Sequence, residues 1–183
     1  MRERYGPLPF KLYKGVKGKN GAMRMKLQPA YTGRKDEGCV FFEMCPAIGP
    51  NIYDWEFGKI SMSLSASDIG KILMFLRNSN SFFDEKTNSA KLLIYHDRGA
   101  GTNDKGKNTT SLEITKSPSY NNFFFSATHK KDGESRNARV PVSPDESLVV
   151  GSLLQSALPV IFGWTEGTEL ISRLEKIEYL LSN

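Results

Sequence analysis

The sequence predicts an α+β fold: antiparallel sheets with helices segregated to one side, in a strands-helix-strands-helix repeat. Three observations predict it. Segments of period-two alternation come in two groups, each closed by a segment of helical periodicity. Both of those helical segments begin with a capping signal. No run of about 18 apolar residues occurs, so the apolar residues serve a water-facing core and no membrane span is expected. Residues 1–164 are expected to form this domain and residues 165–183 a helical extension.

The elements follow in order. Residues 1–21 are basic and glycine-punctuated, with a short strand around 10–14. Residues 22–28 alternate cleanly: Met23, Met25 and Leu27 share one face, and Arg24, Lys26 and Gln28 the other. This strand has a core face and a cationic face. Residues 38–45 form a second strand, apolar on both faces, followed by a turn over 46–51. A strand or hairpin over 53–64 places Ile60, Met62 and Leu64 opposite Ser61 and Ser63. Ser65 then caps a helix, with Asp68 at N3 and a stripe of Ile69, Ile72, Leu73 and Leu76; it ends near Asn78.

Strands resume at 90–96, 110–115, 122–128 and 136–142, joined by a long loop over 98–108 and polar turns over 117–120 and 130–135. Ser143, Pro144 and Glu146 mark the next helix start, and Pro159 is expected to kink that helix before Gly163. Its apolar residues cover more than one face, which predicts burial on more than one side and a homodimer or homotetramer. A last stripe of Leu170, Ile171, Leu174, Ile177 and Leu181 predicts an amphipathic helix over 168–181.

Charge is uneven. Residues 1–35 carry ten Lys and Arg against Glu3 alone, whereas the whole chain of 183 residues is only +5. A basic edge is the electrostatic footprint of a polyanion partner, and it is also what an ordinary solvated terminus looks like. Cys39 and Cys45 lie on one strand, about 20 Å apart at ~3.4 Å per residue, too far to bridge. Reduced thiols, with an opening that lacks the apolar core of a secretory signal, predict an intracellular setting, with cytoplasm, nucleoid, a virus-infected host or an organelle all open.

Catalytic chemistry needs a nucleophile, base or metal constellation. The two histidines, His96 and His129, stand in no metal spacing with the cysteines or each other. Gly99–Gly101 is followed by no helix and reads as a hairpin tip, not a phosphate loop. No enzyme activity and no cofactor are expected.

Binding chemistry is present. Single strands are held by cations along the phosphates and aromatic faces under the bases. Tyr13 sits among Lys11, Lys14, Lys17 and Lys19, and Lys14, Lys19, Arg24 and Lys26 are the candidate phosphate ligands. Of Phe41 and Phe42 one belongs to the core, and Phe42 is taken as the base-facing one. Tyr53, Trp55 and Phe57 would share a face if extended, followed by Lys59; Trp55 reads either as a core or rim residue or as a stacking platform. Among Phe123, Phe124 and Phe125, Phe124 points toward solvent, a partner subunit or a base.

Three stretches resemble the Whirly family of single-stranded-DNA-binding proteins. KLYKGVKGKNGAMRMKL (11–27) is similar to the family's YKGKAAL strand, with an insertion around 16–20. YDWEFGKISMSLSASDIG (53–70) resembles its YDW segment, and ALPVIFGW (157–164) its closing helix. Residues 59–64 also resemble a strand of the positive-cofactor-4 coactivators. The loop over 98–108 and the C-terminal helix depart from the family pattern. The resemblance implies two antiparallel sheets of about four strands each with interspersed helices, helix-mediated dimers or tetramers, and single strands lying along sheet edges between protomers. It implies that Tyr13, Lys14, Lys19 and residues 22–26 contact DNA, while Tyr53, Asp54, Trp55 and Lys59 contact DNA or shape the turn. Sequence-tolerant binding of single-stranded DNA in replication, recombination, repair or transcription is therefore the expected function. RNA binding or annealing, and a coactivator-like protein-interaction module acting through 170–181, are the alternatives.

Overall fold

The computed structural model describes residues 9–15, 20–28, 38–119 and 121–162. The helix expected over 168–181 and the boundary after 164 lie outside them. Two antiparallel sheets and two helices make up the fold.

The first sheet contains β1 (Phe10–Tyr13), β2 (Gly21–Gln28), β3 (Cys39–Gly49), β4 (Ile52–Tyr53) and β5 (Ile60–Leu64). Its order is β1-β2-β3, with both β4 and β5 paired to β3. The expected alternation of β2 holds: Met23 and Met25 are buried, Lys26 is exposed and Arg24 is half-buried. Gly21 is needed where β2 begins, because a Cβ there would stand 2.1 Å from the Cys45 carbonyl oxygen. β3 runs past the turn expected at residue 46 and reaches Gly49, with a register shift between Ala47 and Gly49. Pro46 is tolerated because it sits opposite Gly21 at the last rung of the β2–β3 ladder, and its carbonyl accepts the Asp54 N–H at 3.0 Å.

α1 (Ala66–Arg77) starts at Ser65 with both halves of the capping box made, the second through Asp68. A 3-10 turn, Ser79–Phe82, leads into β6 (Phe83–Asp84). The second sheet is a meander of β6, β7 (Ser89–Asp97), β8 (Asn108–Lys116), β9 (Phe123–Lys131) and β10 (Glu134–Val142). Gly99–Gly101 lies in the hairpin loop between β7 and β8, as expected. α2 (Pro144–Ile161) opens with the Ser143–Glu146 box and holds Pro159 in its last turn.

The inner faces of both sheets and the inner sides of both helices share one core. Phe42 and Phe125 stack across it, their ring centroids 6.0 Å apart, and Phe75 of α1 meets Phe82 and Phe123 edge-on. Phe42 is only 2% exposed, so its expected base-facing role is corrected: it is a core residue. Strand parity is the reason. Phe42 pairs with Met25, whose side is inward, and Phe41 pairs with Lys26, whose side is outward. The helix α2 is buried on one side only, through Val150, Leu154, Ala157 and Ile161. Leu148 (73% exposed), Val149 and Leu153 are left uncovered by the described residues.

Truncating the stacked ring should show this parity directly. Phe42→Ala is expected to cost about 3–5 kcal/mol in urea unfolding, as large-to-small core changes do. Phe41→Ala should cost about 1 kcal/mol or less, as for changes away from the core. Equal costs would contradict the register.

Candidate nucleic-acid interface

The outward face of the first sheet follows from the same register. Lys11 pairs with Arg24, Arg24 with Glu43 and Glu43 with Ser61; Lys26 pairs with Phe41 and Phe41 with Ser63. Lys11 and Lys26 are exposed, and neither has an ion pair among the described residues. Phe41 is half-buried between the exposed Lys26 and Ser63. Tyr13 is 49% exposed at the end of β1, and its ring packs at 5.1 Å, tilted, against Tyr53.

Glu43 gathers this face. Its carboxylate accepts from Arg24 Nε and from Ser61 Oγ at 3.2 Å, and Lys59 Nζ lies 3.5 Å away. Burial pushes this carboxyl up, but the two cations and the hydroxyl outweigh burial and hold it below its ordinary value. The Arg24 guanidinium also lies over the Trp55 ring, 4.5 Å from its centroid. Trp55 is half-buried, so it is a rim residue with ring surface left for a ligand.

Tyr53, Trp55 and Phe57 do not share an extended face. The chain bends after Tyr53: the Trp55 N–H donates to the Tyr53 carbonyl at 3.1 Å and the Phe57 N–H to Asp54 Oδ1 at 2.9 Å. This aspartate-nucleated turn leaves Phe57 71% exposed. Gly15 approaches the same turn closely, since a Cβ there would stand 2.5 Å from Asn51 Oδ1 and 2.9 Å from Tyr53 Oη. Tyr53 Oη is buried and has no hydrogen-bond partner among the described residues.

Lys14 is placed differently from expectation. Its Nζ donates to Glu146 Oε1 at 2.6 Å, tying the end of β1 to the first turn of α2. Its charge is spent on that pair instead of standing free for a phosphate. Lys17 and Lys19 lie outside the described residues. The structure thus brings together Tyr13, Arg24, Lys26, Tyr53, Trp55 and Lys59, removes Phe42 to the core and diverts Lys14.

Phe41 was missed although a signal for it existed. Glu43 is the charged residue of β3 and must face outward, and residues two apart share a face. Cys45 follows the same parity, but the neighbouring turn buries it, which pushes its thiol up to about 11. Both cysteines are free.

A cleft of about 720 Å³ continues from this sheet onto the second. It begins at Asn20 and Pro46 and runs over Phe124, Ser126, Asn137 and Arg139. The Arg139 guanidinium lies 4.2 Å from the Phe124 ring centroid, repeating the Arg24–Trp55 arrangement on the second sheet. Among the described residues no group of three His, Cys, Asp or Glu is placed to hold a metal ion, and no helix is long and apolar enough to cross a membrane.

Residues 17–153 match the family model described as the Whirly transcription factor. The chain belongs to the Whirly family. This Whirly chain is 26% identical over 145 residues to single-stranded DNA-binding protein WHY1, chloroplastic, of Zea mays, a match spanning 78% of the chain and 50% of the maize protein. It is 28% identical over 134 residues to single-stranded DNA-binding protein WHY2, mitochondrial, of Arabidopsis thaliana, spanning 72% and 51% of the two chains. The chain thus spans about half the length of these curated relatives. Its fold matches that of WHY3 from Arabidopsis thaliana with a TM-score of 0.71 at 22% identity, over 90% of this chain and 94% of that one. A more distant match in fold is MRP1/MRP2 of Trypanosoma bruciei, with a TM-score of 0.53 at 15% identity over 88% and 90%.

The Lys14–Glu146 tie makes a prediction for acid stability. Burial pushes the Glu146 carboxyl up, but Lys14 and the Ser143 backbone and hydroxyl outweigh it and lower it below its ordinary 4.5. A carboxyl lowered on folding stabilises fully above its unfolded value and loses that contribution as pH falls through its folded value. Wild type should therefore lose stability below about pH 4.5 more steeply than Glu146→Gln. Urea unfolding from pH 7 to 3 checks this; parallel curves for the two proteins would contradict it.

Proposed function

We propose that this Whirly-family protein binds single-stranded DNA with little dependence on base sequence, across the outward face of its first sheet. The observation that carries the reading is one surface holding Tyr13, Phe41 and Trp55 among Lys11, Arg24, Lys26 and Lys59. Every base has a π-face, so such stacking tolerates any sequence, and the cations meet phosphates. Duplex DNA hides those faces. The two relatives named single-stranded DNA-binding proteins support the reading. The compartments of these relatives, chloroplastic and mitochondrial, support a DNA-containing organelle or another intracellular site of DNA metabolism. No catalytic step belongs to this reading.

RNA is the second reading, because stacking alone does not separate the two sugars; that needs a contact to the 2′-hydroxyl. The solved structure of a guide-RNA-binding protein complex bound to a gRNA shares the fold at a TM-score of 0.50.

A homo-oligomer is part of the proposal. Leu148, Val149 and Leu153 form an uncovered apolar stripe on α2, and a second copy of this surface would cover it by two-fold symmetry. Linked copies then gain affinity along one strand through effective concentration.

Fluorescence anisotropy with matched single-stranded DNA, duplex DNA and single-stranded RNA over a salt series tests the function. Single-stranded DNA should bind more tightly than duplex, with affinity falling by a slope of about −0.7 per phosphate contact in log–log form. Equal affinity for duplex, or a flat salt response, would sink the reading, and tighter RNA binding would replace it with the second. Light scattering on the DNA-free protein should give at least twice the 20.5 kDa chain mass. A monomer at micromolar concentration would contradict the oligomer.

A further inference from the structure

The inner face of the second sheet does not end with its apolar core. Beyond Ala127 and Ala138 the same strand parity continues into polar residues. His96, Thr110, His129 and Arg136 make one cross-strand row, and Asn108, Lys131 and Glu134 the next. Of these rows His129, Arg136, Asn108, Lys131 and Glu134, together with Arg98 and Asp132, line a cleft of about 530 Å³, within the ~300–1,000 Å³ typical of small-ligand sites.

Three features make this a built recess. Arg98, Lys131 and Arg136 all line it, yet none has an ion pair among the described residues, although Asp132 and Glu134 share the cleft. Asn108 Oδ1 is buried and has no hydrogen-bond partner among the described residues. The walls are tied to each other: the Arg98 N–H donates to the Asn108 carbonyl at 3.0 Å and the Asp132 N–H to the Lys107 carbonyl at 3.2 Å. Both residues of the Asp132–Gly133 turn are at positive φ.

We propose that this cleft binds the phosphomonoester of a nucleotide, free or at a strand terminus, as a site separate from the outward face of the first sheet. Unpaired guanidinium and ammonium groups suit a doubly charged phosphate, which a terminal phosphate carries near neutral pH and a phosphodiester does not. The orphaned Asn108 oxygen is an acceptor without a donor, and a nucleotide's sugar hydroxyl or base amine supplies one while its phosphate occupies the cations. His129 faces the same space, its Nδ1 3.0 Å from Thr110 Oγ1. Burial and the nearby Arg98 and Arg136 lower its protonation, so a bound anion that offsets those charges should raise it. The charged groups facing His129 are Arg98, Lys131, Asp132, Glu134 and Arg136.

The test uses the full chain and three probes: deoxyadenosine 5′-monophosphate, deoxyadenosine and inorganic phosphate. Proton–carbon NMR follows the ring signals of the two histidines, assigned with His129→Gln. The monophosphate should move the His129 signal saturably and raise its titration midpoint by roughly 0.5 pH or more, with His96 as the internal control. Arg98→Ala with Arg136→Ala should weaken the monophosphate roughly tenfold or more. Lys26→Ala and Trp55→Ala, which lie on the first sheet, should leave it unchanged. Any of three results would overturn the proposal: deoxyadenosine binding as well as its phosphate, inorganic phosphate binding as tightly as the nucleotide, or no response at His129. The probes contain no strand, so the outcome is independent of whether the first sheet binds single-stranded DNA.

Discussion

The Glu43 carboxylate organises the first sheet. It sits on the middle strand and takes up Arg24 from β2 and Ser61 from β5, with Lys59 close by. A half-buried carboxylate must be paired, and removing one partner of such a pair costs more than the pair itself contributes. Glu43 therefore fixes which side of β3 faces water. Val40, Phe42 and Met44 then must enter the core, and Phe41 must stand beside Lys26. Arg24, held from one side by Glu43, lies over the Trp55 ring and carries the same order into the turn that follows β4. The interface is thus a consequence of the pairing that builds the core.

Much of this was legible from local patterns. Both helix starts were readable because a capping box lies within four residues, and the strands of the meander because alternation is local. The parity of β3 was harder, since apolar residues occupy both of its faces and hydrophobicity alone does not choose between Phe41 and Phe42. Glu43 resolves it, but only once one residue outweighs the run around it. The turn at 54–58 was misread as extended because its aromatics alternate; the Asp54 side chain, which accepts the Phe57 N–H, overrides that pattern. Lys14 reads as a phosphate ligand in the sequence because its partner Glu146 is 132 residues away and no local pattern reveals it.

The second sheet repeats the scheme with different emphasis. Its outward side has an arginine over an aromatic ring, Arg139 on Phe124, next to the first sheet, where β10 meets the start of β2. Its inward side ends in unpaired cations instead of methyl groups. The two helices, packed together on the inner side, leave the apolar stripe of α2 uncovered. The proposed nucleic-acid contact and the proposed self-association thus use different surfaces, the outward face of the first sheet and the exposed stripe of α2.

The central claim is that bases stack on the outward face of the first sheet. Photo-crosslinking with a bromodeoxyuridine-substituted single-stranded oligonucleotide, followed by peptide mapping, tests it most directly, because crosslinks form only where a base meets a side chain. The account predicts crosslinks in the peptides that carry Tyr13, Phe41 and Trp55. Crosslinks confined to the second sheet, with none in those peptides, would contradict it.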